Sequence, residues 1–259
     1  MSLILHLKSS VGVYQDAGAT TPCASNGDPV KLWQDQSGNS NHFTQATPAF
    51  VPVYRESEIN SGPVVRFDGA ASHLLASNFS SADEGFLLAV LQIPSGGSSG
   101  ALFCTADEAG LYKYHIMRIN TGDPGRVDTD NRTASGSENR IQSTTAVALD
   151  TPIVLANGSD GSKFYLMCNG APRIPYDTPT GTNNGDWFGT VPDRDNFCIG
   201  AFKRSSIGSY AEMDVAEIKL YDAWESISDV VNKMKVLMDS YNIGIDSEGI
   251  MMNLLRWEF

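Results

Sequence analysis

The chain has 259 residues, of which 41% are hydrophobic and 19% charged, so it carries enough apolar side chains to bury a full core. Its formal net charge of −12 repels phosphate backbones, which excludes nucleic acid as a partner class. No window approaches the run of about 20 apolar residues that a membrane-spanning helix needs, so we expect no membrane insertion.

The first predicted element is a strand. The segment "SLILHLK" places Leu3, Leu5 and Leu7 at alternate positions, which predicts that they share one face. The segment has no basic start, and its apolar run is shorter than the core of a secretory signal. We therefore expect a protein that is made in the cytosol and not exported by a visible N-terminal signal.

The segment "WQDQSGNSNHFTQ" (33–45) follows, with oxygen-bearing side chains at every second position: Asp35, Ser37, Asn39 and Asn41. Hard oxygen ligands suit calcium, which makes Asp35, Asn39 and Asn41 candidate metal ligands. However, a calcium-binding EF-hand loop needs Gly at its sixth position and Glu at its twelfth, where this chain has Ser40 and Ala46. The pattern favours a turn closed by side-chain-to-backbone hydrogen bonds, with Trp33 and Phe43 as core anchors.

Short apolar runs separated by Gly and Pro clusters dominate the rest of the chain. Such runs at this spacing are typical of an all-β sandwich or jelly roll. The predicted strands cover 64–68, 85–93, 101–106, 111–119, 152–158, 163–170, 196–202 and 211–223.

Two segments carry aromatic side chains beside polar ones, as a sugar-binding surface requires. The segment "YKYHIMR" offers Tyr112, Tyr114 and Arg118, and the segment "TNNGDWFGT" offers Trp187 beside Asn184 and Asp186. A tryptophan in a segment rich in Gly and Asn either stacks on a sugar ring or closes the end of the sandwich. The six residues are the candidate ligand-binding set.

The four cysteines, Cys23, Cys104, Cys168 and Cys198, are far apart and form no C-x-x-C pair. This spacing does not indicate a zinc site, and we expect no cofactor. Cys104, Cys168 and Cys198 lie within apolar runs, and we expect them to be buried free thiols. Two disulfide bonds are possible, but nothing in the sequence requires them.

The segment 226–243 has helical spacing of its apolar residues, a serine cap at its start and Gly244 as its stop. We therefore predict one domain over 1–244, which ends in this helix, and an apolar tail over 245–259. The tail either packs on the sandwich or docks on a partner or a second copy of the chain. Its candidate docking residues are Met251, Leu254, Leu255, Trp257 and Phe259.

Three blocks in order carry a resemblance: "VKLWQDQSGNSNHFTQ" (30–45), "INSGPVVRFDGAASHLLAS" (59–77) and "AEIKLYDAWESISDVVNKMKVLMDSYNIG" (216–244). Together they resemble the laminin-G-like branch of the concanavalin A-like lectin/glucanase superfamily. The resemblance implies a two-sheet antiparallel jelly roll with a C-terminal helix. It says less about function, because this superfamily includes lectins, hydrolases, adhesion modules and virion proteins.

The segment "EMDVAE" matches the E-x-D-x-x-E pattern of the catalytic strand in laminarinase-like β-glucanases, which share this fold. The resemblance implies Glu212 as nucleophile and Glu217 as general acid/base, with Asp214 between them. The break in apolar alternation after Val215 predicts a bulge. In this chain, however, the motif leads directly into the terminal helix, which favours a framework strand and no enzymatic activity.

A module of this type without an export signal fits a bacteriophage virion protein, assembled in the host cytoplasm and released by lysis. The main hypothesis is a decoration or fibre-associated protein that displays the sandwich and contacts other virion proteins, or itself, through the tail. The first alternative is a lectin domain that binds a cell-surface glycan, and the second is a β-glucanase.

Overall fold

The computed structural model describes residues 2–120 and 125–244. Within these ranges the strands and the single α-helix follow one another in this order: β1 (Leu3–Lys8), β2 (Val13–Tyr14), β3 (Leu32–Trp33), β4 (Phe43–Thr44), β5 (Val53–Ile59), β6 (Gly62–Asp68), β7 (Leu74–Ser77), β8 (Gly85–Gln92), β9 (Gly100–Ala106), β10 (Tyr114–Asn120), β11 (Arg126–Arg132), β12 (Asn139–Ser143), β13 (Ile153–Ser159), β14 (Phe164–Cys168), β15 (Tyr176–Thr180), β16 (Asn196–Ile199), β17 (Phe202–Lys203), β18 (Ile207–Gly208), β19 (Glu212–Tyr221) and α1 (Ile227–Ser240).

The strands form two large antiparallel sheets. Sheet A runs in the order β14-β13-β8-β19-β6-β5, with β1 also paired to β19. Sheet B runs in the order β15-β12-β11-β10-β9-β16-β7-β4-β3-β2, and β17 pairs with β18 as a small hairpin. The predicted all-β antiparallel sandwich with one C-terminal helix is therefore confirmed.

The main core lies between the two sheets. Alternate residues of β8 (Leu87, Ala89 and Leu91) enter it from sheet A, and Trp33 and Phe43 enter it from sheet B. Both aromatic rings are completely buried, which confirms them as core anchors. In β1 a register shift between Leu3 and Leu5 interrupts the predicted alternation, since Leu3 is only partly buried while the two later leucines are fully buried.

Helix α1 covers the outer face of sheet A. Its buried residues Val230, Met234 and Leu237 pack with the other alternate set of β8, which includes Phe86 and Leu88. The strand β8 is therefore buried on both faces, which explains why it reads as a continuous apolar run.

The hydroxyl of Ser226 caps the helix by accepting a hydrogen bond from the backbone N–H of Asp229. The helix ends at Ser240, before the predicted 243, because Asn242 already adopts the left-handed conformation at φ 50° that terminates a helix. Gly244 is not needed as the stop.

The predicted tail lies outside the described residues. Its docking on a partner or on the sandwich stays a prediction for all five candidate residues: Met251, Leu254, Leu255, Trp257 and Phe259.

Four strands of five or more residues are present that the apolar pattern did not predict: β5, β11, β12 and β15. Their sequences are polar, for example "RVDTDNR" in β11. Strands of this composition form here because their neighbours supply the ladder hydrogen bonds and their charged side chains pair across strands.

The predicted bulge in β19 is present, as a register shift between Val215 and Glu217. Because of it, Ala216 and Glu217 both face away from the main core. The carboxylate of Glu217 is almost completely buried there and accepts hydrogen bonds from His6 Nε2 (2.8 Å) and Tyr241 Oη (2.8 Å), while Lys219 Nζ lies 2.8 Å away. Glu217 thus ties β1 and the end of α1 to the central strand.

No helix among the described residues has the length and apolar character needed to cross a membrane. All four cysteines are free thiols, and Cys104 and Cys198 are fully buried.

Substitution of Glu217 by Gln tests how much the buried Glu217 carboxylate stabilises the fold. Burial raises the pKa of Glu217, but hydrogen bonds from His6, Lys219 and Tyr241 outweigh it and lower the pKa from 4.5 to about 2. Because the pKa of this carboxyl is lower in the folded state than in the unfolded state, its ionised form stabilises the fold at pH values above about 4.5. This contribution is lost as the pH falls from about 4.5 towards 2. At neutral pH we expect Glu217→Gln to lower the free energy of unfolding by about 3 kcal/mol.

Urea unfolding at a series of pH values measures this effect. The difference between wild type and Glu217→Gln should shrink as pH falls through this window. Glu212→Gln, on the same strand, is the control and should keep the wild-type profile. Parallel profiles for wild type and Glu217→Gln would contradict the assignment.

Candidate functional site

The outer face of sheet B carries a compact set of charged and aromatic side chains on β10, β11 and β12, in the segment before β10 and in the segment that joins β11 to β12. Along β10, Met117 and Ile119 enter the main core, so Tyr114 and Arg118 face outward. We call this surface the arginine face. Its members are Tyr112, Tyr114, Arg118, Asp128, Asp130, Arg132, Glu138 and Arg140.

Asp128 lies at the centre of the arginine face. Its Oδ1 accepts a hydrogen bond from Arg118 Nε at 2.7 Å, and its Oδ2 accepts one from Arg140 Nη2 at 2.7 Å. The strand register explains the contacts, since Arg118 pairs with Asp128 across β10 and β11. The Asp128 side chain is 1% exposed, whereas the two arginines are 28% and 24% exposed. The two arginine side chains are therefore partly exposed, while the carboxylate that they bind is buried.

Asp130 is the second buried carboxylate. Its Oδ2 accepts hydrogen bonds from Arg118 Nη2 at 3.0 Å and from Tyr114 Oη at 3.2 Å. Burial raises the pKa of Asp130, and although Arg118 opposes this effect the net direction is upward. Burial likewise raises the pKa of Tyr114 to about 12, with the Asp130 charge adding to it. Burial lowers the pKa of Arg118, but its two aspartates outweigh this effect and raise it overall.

The edge of the arginine face holds an exposed aromatic ring. Tyr112 is 41% exposed and lies in the segment between β9 and β10. The guanidinium carbon of Arg132 is 5.8 Å from its ring centroid and 5.7 Å from that of Tyr114, and Arg132 also forms an ion pair with Glu138. An accessible ring thus borders a floor of fixed hydrogen-bonding groups.

In the second predicted set, Trp187 is not on this surface, and Asn184 and Asp186 form a polar cluster beside the start of β12. Trp187 is completely buried in the main core, where its ring meets His115 edge-on with centroids 4.9 Å apart. Asn184 donates to Asp186 Oδ2 at 2.6 Å, and Asn139 Nδ2 lies 3.3 Å from the same carboxylate oxygen. In this arrangement Trp187 closes the sandwich and offers no ring face to a sugar.

The segment 33–45 forms a turn closed by Asp35. Its carboxylate accepts hydrogen bonds from the backbone N–H groups of His6, Ser37 and Asn41 and from the Ser37 hydroxyl, at 2.7 to 3.0 Å. Asn39 and Asn41 donate their amides to the backbone carbonyls of β1. The three candidate calcium ligands therefore serve as framework contacts in this structure. Among the described residues, no three His, Cys, Asp or Glu side chains cluster as metal ligands.

The glucanase-like motif lies on the outer face of sheet A. Asp214 is bound by Arg66 through two hydrogen bonds of 2.6 Å, and Glu217 is held as described above. A general acid needs a raised pKa to carry its proton at neutral pH, whereas the pKa of Glu217 is lowered to about 2. A cavity of about 220 Å³ does border Glu212 and Asp214, with Arg66 and Gln92 in its wall. The motif therefore lacks an available proton donor at Glu217.

The apolar pattern missed five of the eight members of the arginine face, including Glu138, which immediately precedes β12. Asp128, Asp130, Arg132 and Arg140 lie on β11 and β12, which were not predicted as strands. The available signal was the alternation of charge in "RVDTDNR", where Asp128, Asp130 and Arg132 fall at every second position.

No family model and no curated protein matches this sequence significantly. Among solved structures, the chain is similar to the CBM40 carbohydrate-binding module of Ruminococcus gnavus IT-sialidase bound to α2,3-sialyllactose. The TM-score is 0.52 at 14% identity, over 60% of this chain and 84% of that one.

Two sialidases show the same likeness. The NanB sialidase of Streptococcus pneumoniae has a TM-score of 0.50 at 16% identity, over 59% of this chain and 24% of that one. The leech intramolecular trans-sialidase has a TM-score of 0.50 at 16% identity, over 60% of this chain and 23% of that one. This chain spans about a quarter of the length of these sialidases. At such identities the likeness shows the β-sandwich fold.

The role of Asp35 is testable by substitution and by calcium. Asp35→Ala leaves buried N–H groups without their acceptor, so we expect the free energy of unfolding to fall by roughly 3 kcal/mol. Asp16 closes an exposed turn in the same manner, and Asp16→Ala should cost much less. Neither calcium nor a chelator should shift the melting temperature of the wild type. A clear rise in melting temperature with calcium would instead support the metal hypothesis.

Proposed function

We propose that this chain is a non-catalytic carbohydrate-binding module that binds its glycan on the arginine face. The observation that carries the proposal is the exposed ring of Tyr112 beside a rigid floor of carboxylates and guanidinium groups. The C–H face of a sugar ring is apolar and packs on an aromatic ring, while its hydroxyls both donate and accept hydrogen bonds.

The position of these groups supports the proposal. Strands β10, β11 and β12 hold most of the side chains, and cross-strand ion pairs fix their rotamers. A binding surface on regular strands is more rigid than one on loops, and less conformational entropy is lost when a ligand binds it.

The likeness to a CBM40 solved with sialyllactose also supports a glycan as the ligand class. Carbohydrate binding was the first alternative from the sequence, and it now replaces the virion role as the leading hypothesis. The bacteriophage virion role and the laminin-G-like assignment stay predictions. The virion role depends in part on the tail at 245–259, which lies outside the described residues.

Truncation of the exposed ring tests the proposal. A glycan array identifies a ligand, and isothermal titration calorimetry then compares Tyr112→Ala with wild type. We expect at least a tenfold loss of affinity, because removal of an aromatic anchor typically costs 1–2 kcal/mol or more.

Leu111→Ala is the matched control, since Leu111 is the exposed neighbour of Tyr112 and its backbone carbonyl still accepts from Arg204 after substitution. This variant should bind within about twofold of wild type, a free-energy change below about 0.5 kcal/mol. Equal affinities for wild type and Tyr112→Ala would place the site elsewhere, and an array without any bound glycan would refute the proposal.

A further inference from the structure

We propose that the arginine face selects neutral, hydroxyl-rich glycans over glycans that carry a carboxylate. This inference rests on the proposed function and names the ligand class of the same site. Its basis is that the guanidinium groups of this surface are already paired with carboxylates of the chain itself.

Arg118 shows the pairing most clearly. A guanidinium group recognises a carboxylate best through two parallel N–H donors on one edge. In Arg118 the Nε and Nη2 edge already binds Asp128 at 2.7 Å and Asp130 at 3.0 Å. An incoming carboxylate finds this edge occupied.

The two remaining arginines of the arginine face, Arg132 and Arg140, also pair with carboxylates of the chain. Arg140 Nη2 donates to the second oxygen of Asp128, so this one aspartate bridges two guanidinium groups. Arg132 Nη2 pairs with Glu138 Oε2. Each arginine of the surface therefore has an internal carboxylate partner.

The charge balance favours the same ligand class. Three arginines and three carboxylates cancel on the arginine face, and the chain as a whole carries a formal charge of −12. A carboxylate ligand would therefore meet no surplus positive charge to offset its lost hydration, unless it displaced an internal partner and left a buried aspartate unpaired, which is strongly unfavourable.

Sugar hydroxyls meet no such barrier. A guanidinium group has five N–H donors, so Arg118 and Arg140 retain donors beyond their ion pairs, and Glu138 retains acceptor capacity. A hydroxyl donates to a carboxylate oxygen and accepts from an N–H without displacing either partner. The arginine face is thus suited to a neutral sugar beside Tyr112, in contrast to the acidic sialyllactose bound by the similar CBM40.

The first experiment is an array of matched glycan pairs, each with a neutral member and a counterpart capped by sialic acid or containing a uronic acid. We expect the wild type to bind neutral members, with at least a tenfold loss of affinity on addition of the carboxylate. Affinity should change little between low and high sodium chloride, since screening weakens only charge–charge contacts.

The second experiment removes an internal carboxylate. Asp128→Asn frees donors of Arg118 and Arg140, and we expect the ratio of acidic to neutral affinity to rise at least tenfold. Because Asp128 is buried, Glu138→Gln provides a second variant at a more exposed pair and should shift the ratio in the same direction through Arg132. Glu58→Gln is the control, since Glu58 pairs with Arg66 on the opposite sheet and its loss changes the net charge equally. Its ratio should equal that of the wild type.

The outcomes separate the two proposals. Binding of acidic glycans alone, lost in Tyr112→Ala, would overturn the neutral selectivity while it supports a glycan site on the arginine face. Folded Asp128→Asn and Glu138→Gln proteins with the wild-type ratio would also overturn it. Absence of binding to both classes would refute the proposed function itself, and the selectivity with it.

Discussion

A sandwich of two sheets has four faces, and only two of them can pack against each other. In this chain the inner faces form the main core, and α1 covers the outer face of sheet A with a second apolar cluster. The remaining face, the outside of sheet B, is divided. The β17–β18 hairpin covers one part, where Phe202 packs with Tyr114 and Ile116. The other part is the arginine face. It is the part of this outer face that the hairpin leaves uncovered.

This division also explains what the sequence could predict. The sequence predicts apolar strands such as β8, β9 and β13 because a buried face needs hydrophobic side chains. It predicts the helix because the apolar residues of the helix form a single stripe. The strand β11 obeys the same alternation, with Val127 in the core, but its outward residues are charged and its composition reads as a loop. Apolar patterning therefore detected β10, with Tyr114 and Arg118, but not the strands that carry the aspartates of the candidate site.

Residue type alone left alternatives open at two candidate sites. Trp187 and Tyr112 are both aromatic residues near Gly and polar neighbours, yet one is completely buried and the other is 41% exposed. Only the three-dimensional structure shows whether such an aromatic side chain is buried in the core or accessible to a ligand. Likewise, Asp35 and Asn41 have the oxygen atoms of metal ligands, but β1 lies close enough to use them as partners of its backbone. That contact joins residues about 30 positions apart, which a local pattern cannot register.

The same physical principle governs the carboxylates on both sheets. A buried carboxylate is tolerated only when it is paired or fully hydrogen-bonded, and Asp214 and Glu217 on sheet A and Asp128 and Asp130 on sheet B all have cationic partners. On sheet A this pairing removes the proton donor that the E-x-D-x-x-E pattern would need for hydrolysis. On sheet B it consumes the arginine edges that would otherwise attract an anion. In each case the ion pair that makes a buried carboxylate stable also occupies the group on which the suggested function would depend. What remains at the arginine face is an array of oriented dipoles and balanced charges beside an exposed ring, a surface chemically matched to hydroxyl groups.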